Sequence, residues 1–345
     1  MVAVSSLLLL ACIAKDAVDV GDSGIPDATD TATEPPTGVV DDTASGGDGG
    51  DDTSAPSDDT AAPDDTATGD TATGDTATGD TADTGTSPPE AVDYRLSGGL
   101  AVSSESRTLS TATCDVDVMV YTPDGGGPLV VLGHGFLRGG VQLNGWAEHY
   151  ASWGLTVAVP DLCHSSVFDT DHEANGADMV DIAEALGGPA VYAGHSAGGL
   201  AALLAAGYDA SALGVLGLDA VDAFDLGVDG AGDVDAPVYG VFGESSLCNA
   251  SNNGVTMYAG TSDSRGLRVT EADHCDFEFE TDWVCTVACT GSNDAFSEGD
   301  IRDTILGLTT AGLMELAGLD SSSGWWAAGG EYYDALVADG AADPL

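Results

Sequence analysis

Residues 190–204 constrain the fold more than any other stretch of the chain. An apolar run at 190–193 leads into Gly-His-Ser-Ala-Gly at 194–198, and a segment rich in Ala and Leu follows. This order predicts a buried strand, a sharp turn and a helix, with the hydroxyl of Ser196 held at the strand end. The glycines leave room for the turn, and the helix directs its N-terminal N–H groups at the serine.

The same alternation of short apolar runs and helical segments extends through most of the chain. Strands are predicted at 115–122, 129–132, 155–159, 190–193, 214–218, 237–242 and 267–269, and helices at 142–153, 175–186 and 300–316. Continuous Val/Leu/Ala runs separated by helices are typical of a parallel sheet that is buried on both faces. With right-handed crossovers they predict an α/β fold, a doubly wound, mostly parallel sheet in a three-layer α/β/α sandwich.

Two segments of this region carry more specific expectations. Residues 115–122 alternate between polar and apolar side chains, which predicts a strand at the sheet edge. Residues 321–345 contain paired Trp and paired Tyr residues and are expected to pack on the core as a terminal segment.

The first 90 residues differ from the remainder. Residues 1–12 are an apolar signal-like segment, and residues 13–90 are rich in Asp, Thr, Ala, Gly and Pro. Residues 16–90 contain 20 acidic residues, no Lys or Arg, and three repeats of Asp-Thr-Ala-Thr-Gly at 65–79. This segment has few large apolar side chains, and their burial could not offset the chain entropy lost on folding. Residues 13–90 are therefore predicted to be a disordered tether before a folded domain at 91–345.

Charge and cysteine content narrow the possible functions. Residues 91–345 contain 38 acidic residues and six arginines, a balance that argues against binding of nucleic acid or of an anionic membrane by the folded domain. Six cysteines follow Cys12, and this even number indicates up to three disulfides in an exported protein. The count alone leaves the pairing open.

A serine is a weak nucleophile at neutral pH and needs a base to take its proton. His274 follows the last predicted strand and is the candidate base, whereas His195 is expected to point away from the Ser196 hydroxyl. A carboxylate must hold the base in one tautomer. Asp219, directly at the end of strand 214–218, is favoured for this role, and Glu244 after the next strand is the alternative.

Two backbone N–H groups are the expected donors to a developing oxyanion: that of Ala197 at the helix start, and that of Phe136, whose ring is also expected to form a wall for an acyl group. His134 is expected to brace the loop before Phe136. Aspartates at 222, 225, 229, 233 and 235 could suggest a calcium loop, but their spacing fits no ligand pattern, so an exposed acidic loop is favoured.

These features together resemble the α/β-hydrolase fold over residues 92–318. The resemblance is carried by the order Ser196, Asp219, His274 and by the motifs at 134–136 and 194–199. The most similar branch contains chlorophyllases, platelet-activating-factor acetylhydrolases and cutinase-like polyester hydrolases, and Leu-Asp-Ala at 218–220 matches the acid of the first two. The resemblance implies a carboxylic ester hydrolase that acts through an acyl-enzyme and requires no metal and no organic cofactor.

The resemblance also implies pairings among the cysteines. Some polyester hydrolases place a disulfide beside the active site, which implies Cys248–Cys275 here. The remaining pairs would then be drawn from Cys285–Cys289 and Cys114–Cys163.

The N-terminus resembles a bacterial lipoprotein signal, because Leu-Leu-Ala-Cys at 9–12 resembles a lipobox. This resemblance implies an exported protein, either anchored to the cell envelope by a lipid on Cys12 or extracellular. We expect a monomer that acts on a small-molecule or polymeric ester. The alternative is a non-catalytic surface binding or adhesion protein that uses the same scaffold.

Overall fold

The computed structural model describes residues 91–345, except for residues 290, 292 and 322. The predicted signal segment at 1–12 and the predicted acidic tether at 13–90 lie outside the described residues. Among the residues described, no helix is both long enough and apolar enough to cross a bilayer.

Nine strands form one central sheet in the order β1-β2-β4-β3-β7-β8-β9-β10-β11, and β5 and β6 form a separate hairpin. The strands are β1 Val102–Ser110, β2 Asp115–Pro123, β3 Leu129–Gly133, β4 Thr156–Pro160, β5 Ser165–Ser166, β6 Asp169–Thr170, β7 Ala190–His195, β8 Gly214–Leu218, β9 Val238–Phe242, β10 Ser264–Val269 and β11 Ala342–Pro344.

The helices lie between these strands and after them. They are α1 Asn144–Ser152, α2 His172–Leu186, α3 Ala197–Tyr208, α4 Leu226–Gly230, α5 Gly254–Ala259, α6 Trp283–Cys289, α7 Glu298–Leu316 and α8 Glu331–Ala338. Local sequence fixes several of their ends. At the start of α2 the Asp171 carboxylate accepts the N–H of Ala174, and at its end Gly187 adopts a left-handed conformation with φ 92°.

The predicted α/β class is confirmed. Strands β4, β3, β7, β8, β9 and β10 are parallel, whereas β1, β2 and β11 add antiparallel pairs at the two sides. The chain runs from β3 to β4 on one side and to β7 on the other, so the strand order reverses between β3 and β7. Crevices at such reversals, beyond the carboxyl ends of the strands, are where open α/β sheets bind ligands.

Helices pack on both faces of the sheet, as the continuous apolar runs predict. One core contains Val130 and Leu132 of β3 together with Trp146 of α1 and Ile305 of α7. The other core contains Val131 of β3 with side chains of α2 and α3. Alternate residues of β3 therefore serve two cores, which is why this strand carries no polar side chain.

The expectation that residues 115–122 form an edge strand is wrong. β1 pairs with β2 over nine residues and is itself the edge. Six consecutive residues of β1, at 103–108, are polar and exposed on both faces, so the sequence has no alternation that could reveal a strand.

The C-terminal segment packs on the core, as predicted, and adds a strand that the sequence does not indicate. The indole N–H of buried Trp325 donates to the carbonyl of Val92, and that of Trp326 donates to the carbonyl of Leu308, each at 2.9 Å. β11 then pairs with β10 at the sheet edge.

Three disulfides join the six cysteines of the described residues. Cys114–Cys163 is formed, as one of the implied options, but the implied Cys248–Cys275 and Cys285–Cys289 pairings are wrong. The structure pairs Cys248 with Cys289 and Cys275 with Cys285, each with a Cα–Cα distance of 5.8 Å. Both bridges reach α6, whose Cys285 and Cys289 are one helical turn apart and bond to different partners. Three disulfides are consistent with folding in an oxidising compartment and hence with export.

Candidate active site

Ser196 forms the turn between β7 and α3. Its backbone has φ 56° and ψ −123°, an unfavourable conformation for a residue with a Cβ. Neighbouring main chain holds it there, because its N–H donates to the carbonyl of Leu218 while its own carbonyl accepts the N–H groups of Gly199 and Val221. The serine is therefore fixed at the carboxyl end of β7, beside the end of β8.

Two glycines allow the backbone to close around this turn. A Cβ on Gly194 would lie 2.2 Å from the carbonyl group of Gly198, and a Cβ on Gly198 would lie 2.3 Å from the carbonyl oxygen of Gly133. No side chain fits at such distances, so the glycine pattern is a packing requirement between β3, β7 and α3.

His274 and Asp219 form a buried pair. The Nδ1 of His274 lies 2.6 Å from Oδ2 of Asp219, whose side chain has no exposure to solvent. Because the carboxylate can only accept, Nδ1 donates the proton of this bond, and in the neutral imidazole the lone pair is then on Nε2. Asp219 directly follows β8 and has φ 44°, and His274 begins the 3₁₀ helix His274–Phe277 after β10.

Further donors fix the Asp219 carboxylate. Its Oδ1 accepts the N–H of Gly243 at 2.9 Å, and the side-chain amide of Asn249 lies 3.1 Å from Oδ2 and 3.3 Å from Oδ1. Asn249 is fully buried and also donates to the carbonyl of Glu244. Sequence reasoning missed this residue, because an Asn in a polar loop carries no signal that distinguishes it from its neighbours.

Glu244, the alternative acid, does not contact the histidine. Its carboxylate lies 3.9 Å from Arg268 and accepts the N–H of Glu271 at 3.4 Å, and about half of its side chain is exposed. The structure thus brings together Asp219 and His274 and leaves Glu244 on the surface.

The contact between Ser196 and His274 is indirect. Among the described residues, no hydrogen bond joins Oγ of Ser196 to the imidazole of His274. His195, the neighbour of Ser196, donates from Nε2 to the carbonyl of His274 at 3.0 Å, and the two rings have centroids 4.5 Å apart. Catalytic hydrogen bonds are often long in unliganded enzymes and shorten only when substrate binds.

The two expected oxyanion donors lie beside Ser196. Within residues 91–345 as described, neither the N–H of Phe136 nor that of Ala197 donates to another protein group. Gly135, which precedes Phe136, is in contact with the serine, since a Cβ on it would lie 3.0 Å from Cβ of Ser196. Phe136 as a whole is 8% exposed, which leaves little of its ring available as the expected acyl wall.

Two other buried histidines support the site. His134 donates from Nδ1 to the carbonyl of Gly135 and accepts the N–H of Leu162 at Nε2, so it braces the loop as expected. Burial lowers the pKa of His134. Burial, with the nearby His274 as a lesser cause, holds the pKa of His195 well below its usual value, so His195 is neutral.

A buried ion pair that sequence reasoning also missed lies beneath this loop. The guanidinium of Arg138 bonds both oxygens of Glu278, at 2.5 and 2.6 Å, and its third nitrogen lies 3.0 Å from Asp282. A bidentate pair between residues 140 positions apart depends on tertiary structure, and no local sequence pattern predicts it.

The acidic stretch at 222–235 is exposed at four of its five aspartates, but Asp222 is buried, contrary to expectation. Its carboxylate accepts the N–H groups of Ala223, Gly227 and Val228. Burial nevertheless raises its pKa. Asp222 therefore organises the turn into α4. Two cysteine-containing clusters elsewhere, which have the proximity that a metal needs, consist largely of disulfide sulfurs and offer no thiolate.

No protein-family model matches this chain, and no curated protein is significantly similar to it. The function must therefore be inferred from the chemistry of the site itself. That chemistry consists of a serine on a strained turn, a buried carboxylate–imidazole pair and two unpartnered N–H donors, all at the carboxyl end of the sheet.

Proposed function

We propose that this chain is a serine hydrolase of the α/β-hydrolase fold that cleaves carboxylic esters through an acyl-enzyme. Ser196 is the nucleophile, His274 the general base and Asp219 the acid that orients the base. The observation that carries the proposal is the 2.6 Å hydrogen bond between His274 and the buried Asp219, beside the strained Ser196 turn. That bond leaves Nε2 of His274 able to accept a proton from a serine hydroxyl.

In the first half-reaction, Oγ of Ser196 attacks the ester carbonyl carbon as its proton moves to Nε2 of His274. The carbonyl oxygen becomes an oxyanion, which the N–H groups of Phe136 and Ala197 stabilise. Collapse of the tetrahedral intermediate breaks the bond to the alcohol oxygen, which takes the proton from His274. An acyl group then remains on Ser196.

In the second half-reaction, water gives a proton to His274 and attacks the acyl carbon, and Ser196 leaves with that proton restored. Asp219 stabilises the imidazolium in both halves without becoming protonated. The proposed steps draw on no metal and no organic cofactor.

The proposed setting follows from the sequence. We expect a monomeric exported enzyme that is anchored through Cys12 and separated from the envelope by the acidic segment 13–90, both outside the described residues. The three disulfides are consistent with export. No long apolar insertion that could serve as a lid is evident in the sequence, which favours small-molecule or accessible polymeric esters as substrates.

The proposal is tested with the full chain produced under oxidising conditions. We expect hydrolysis of p-nitrophenyl acetate, butyrate or octanoate, and labelling by a fluorophosphonate on the peptide that contains Ser196. Ser196→Ala should abolish both, whereas Ser211→Ala, a matched change at an exposed serine that bonds Asp209, should preserve both. A folded wild-type protein that neither hydrolyses esters nor takes the label would favour the alternative, a non-catalytic binding or adhesion protein.

A further inference from the structure

The ion pair between Arg138 and Glu278 is a buried pair of opposite charges close to Ser196. The Glu278 side chain has no exposure and that of Arg138 is 15% exposed. Burial of a carboxylate is costly unless a partner satisfies it, and a bidentate guanidinium does so while fixing both groups in one plane. Thr281 adds a hydrogen bond from its hydroxyl to the same carboxylate at 3.0 Å.

The pair joins the two loops that supply the proposed chemistry. Arg138 comes two residues after Phe136, the proposed oxyanion donor. Glu278 closes the 3₁₀ helix that His274 begins, since its N–H donates to the carbonyl of Cys275 at 3.0 Å. The pair therefore bridges the loop that contains Phe136 and the 3₁₀ helix that His274 begins.

Contacts around Gly135 transmit the position of Arg138 to the serine. A Cβ on Gly135 would lie 3.0 Å from Cβ of Ser196, 3.3 Å from Nδ1 of His195 and 3.5 Å from Cγ of Arg138. The N–H of Arg138 also donates to the carbonyl of Gly135 at 3.2 Å, which closes the turn. Gly135 thus lies between the side chains of Ser196, His195 and Arg138, and the hydrogen bond couples the backbone of Arg138 to the turn that carries the N–H of Phe136.

We infer that Arg138 and Glu278 are a positioning pair for ester hydrolysis, which holds the Phe136 N–H in register with Ser196 and His274. This inference rests on the proposed function. Neither side chain touches the reacting atoms; both act through the two loops that they join. Because oxyanion donors act only at the correct position, a shift near 1 Å can cost about 100-fold in rate.

Asp282, the second acidic partner of Arg138, serves as the comparison for Glu278. Asp282 bonds the third nitrogen of Arg138 at 3.0 Å, but 39% of its side chain is exposed. An exposed bond of this kind contributes little to the placement of a loop, and the other oxygen of Asp282, which accepts the N–H of Cys285 at 3.1 Å, has an equivalent in Asn.

The test compares Glu278→Gln, Arg138→Lys and Asp282→Asn in the full chain, with p-nitrophenyl acetate as substrate. Glu278→Gln keeps the shape of the side chain and removes its charge, whereas Arg138→Lys keeps the charge and removes the bidentate geometry. We expect each to lower kcat by about 100-fold with KM changed by less than about threefold. Asp282→Asn should leave kcat within about threefold of wild type.

A kcat within about threefold of wild type for Glu278→Gln, in protein with the wild-type near-ultraviolet circular dichroism, would overturn the inference. If Glu278→Gln does not fold, the same threshold applied to Arg138→Lys decides. Fluorophosphonate labelling of the wild type distinguishes failure of the proposed function from failure of the positioning role. An unlabelled, inactive wild type overturns the proposed function and this inference together, whereas an active wild type with unaffected variants overturns this inference alone.

Discussion

The side-chain amide of Asn249 lies 3.1 and 3.3 Å from the two oxygens of Asp219, and both residues are fully buried. The same amide donates to the carbonyl of Glu244 at 2.8 Å, and its oxygen accepts the N–H of Ser246. Asn249 therefore anchors the loop after β9 to the carboxylate that holds His274.

Replacement of Asn249 by Ala should weaken both stability and catalysis. Asp219 loses a donor that no water can easily replace, at a cost of about 1–3 kcal/mol in the free energy of unfolding, and kcat should fall by about tenfold as the carboxylate loosens. Asn253→Ala is the matched control, because Asn253 makes a similar pair of bonds to the backbone of Asp222. Urea unfolding and steady-state kinetics should show a stability loss in both variants and a loss of kcat in Asn249→Ala only.

The identity of the acid is a second test. Asp219→Asn keeps the shape of the side chain but favours the wrong tautomer of His274, so kcat should fall by about 10³- to 10⁴-fold. Glu244→Gln, which alters an exposed carboxylate near Arg268, should retain wild-type kcat. Activity that survives Asp219→Asn and is lost in Glu244→Gln would contradict the assignment.

Sequence and structure agree where the decisive interactions are local. The β7–turn–α3 segment can be predicted because an apolar run, a glycine pattern and a helix-forming stretch are adjacent in the chain. The need of Asp219 for a buried partner can be predicted for the same reason, since a carboxylate directly after an apolar strand is costly unless another group pairs with it. The sequence could therefore predict the α/β class and the residues that the structure brings together around His274.

The remaining features depend on partners distant in sequence. Cys285 and Cys289 lie on one face of α6, so each is close to both Cys248 and Cys275 in any arrangement that brings these loops together. Only the path of α6 decides which pairs form. The sequence does not predict the roles of the Arg138–Glu278 pair and of Asn249 for the same reason, because these roles depend on contacts between residues that are distant in the chain.

The disulfides should separate stability from catalysis. By loop entropy, loss of Cys114–Cys163, with a separation of 49 residues, costs about 4 kcal/mol, and loss of Cys275–Cys285, with a separation of 10, about 3 kcal/mol. The double Ser variant of the first pair should lower Tm more. The double Ser variant of the second should lower kcat more, because Cys275 adjoins His274. Equal losses of kcat in the two variants would argue against a role for the second bridge in holding the histidine.

Two aspartates at the third position of a capped helical turn should respond to pH in opposite directions. Asp276 accepts the N–H of Asp273 at 2.7 Å, and Asp300 accepts the N–H of Ser297 at 3.1 Å. Burial, with the charges of Asp273 and Glu298, raises the pKa of Asp276 to about 7. Hydrogen bonds from Ser297 lower the pKa of the exposed Asp300.

The sign of each effect on stability follows from proton binding. In the unfolded chain Asp276 titrates near its ordinary pKa of about 4, so between about pH 4 and 7 the folded state binds the extra proton, and the stability that this contributes is lost as pH rises. Asp276→Asn removes the charge but keeps an acceptor for Asp273. The free energy of unfolding of this variant minus that of wild type should therefore be larger at pH 8 than at pH 5. Asp300 contributes stability that is present above its unfolded pKa and lost on acidification, so Asp300→Asn should be less stable than wild type at pH 8. Urea unfolding at pH 5 and 8 measures both, and a gain at pH 8 from both substitutions would point to relief of the overall negative charge and not to the burial of Asp276.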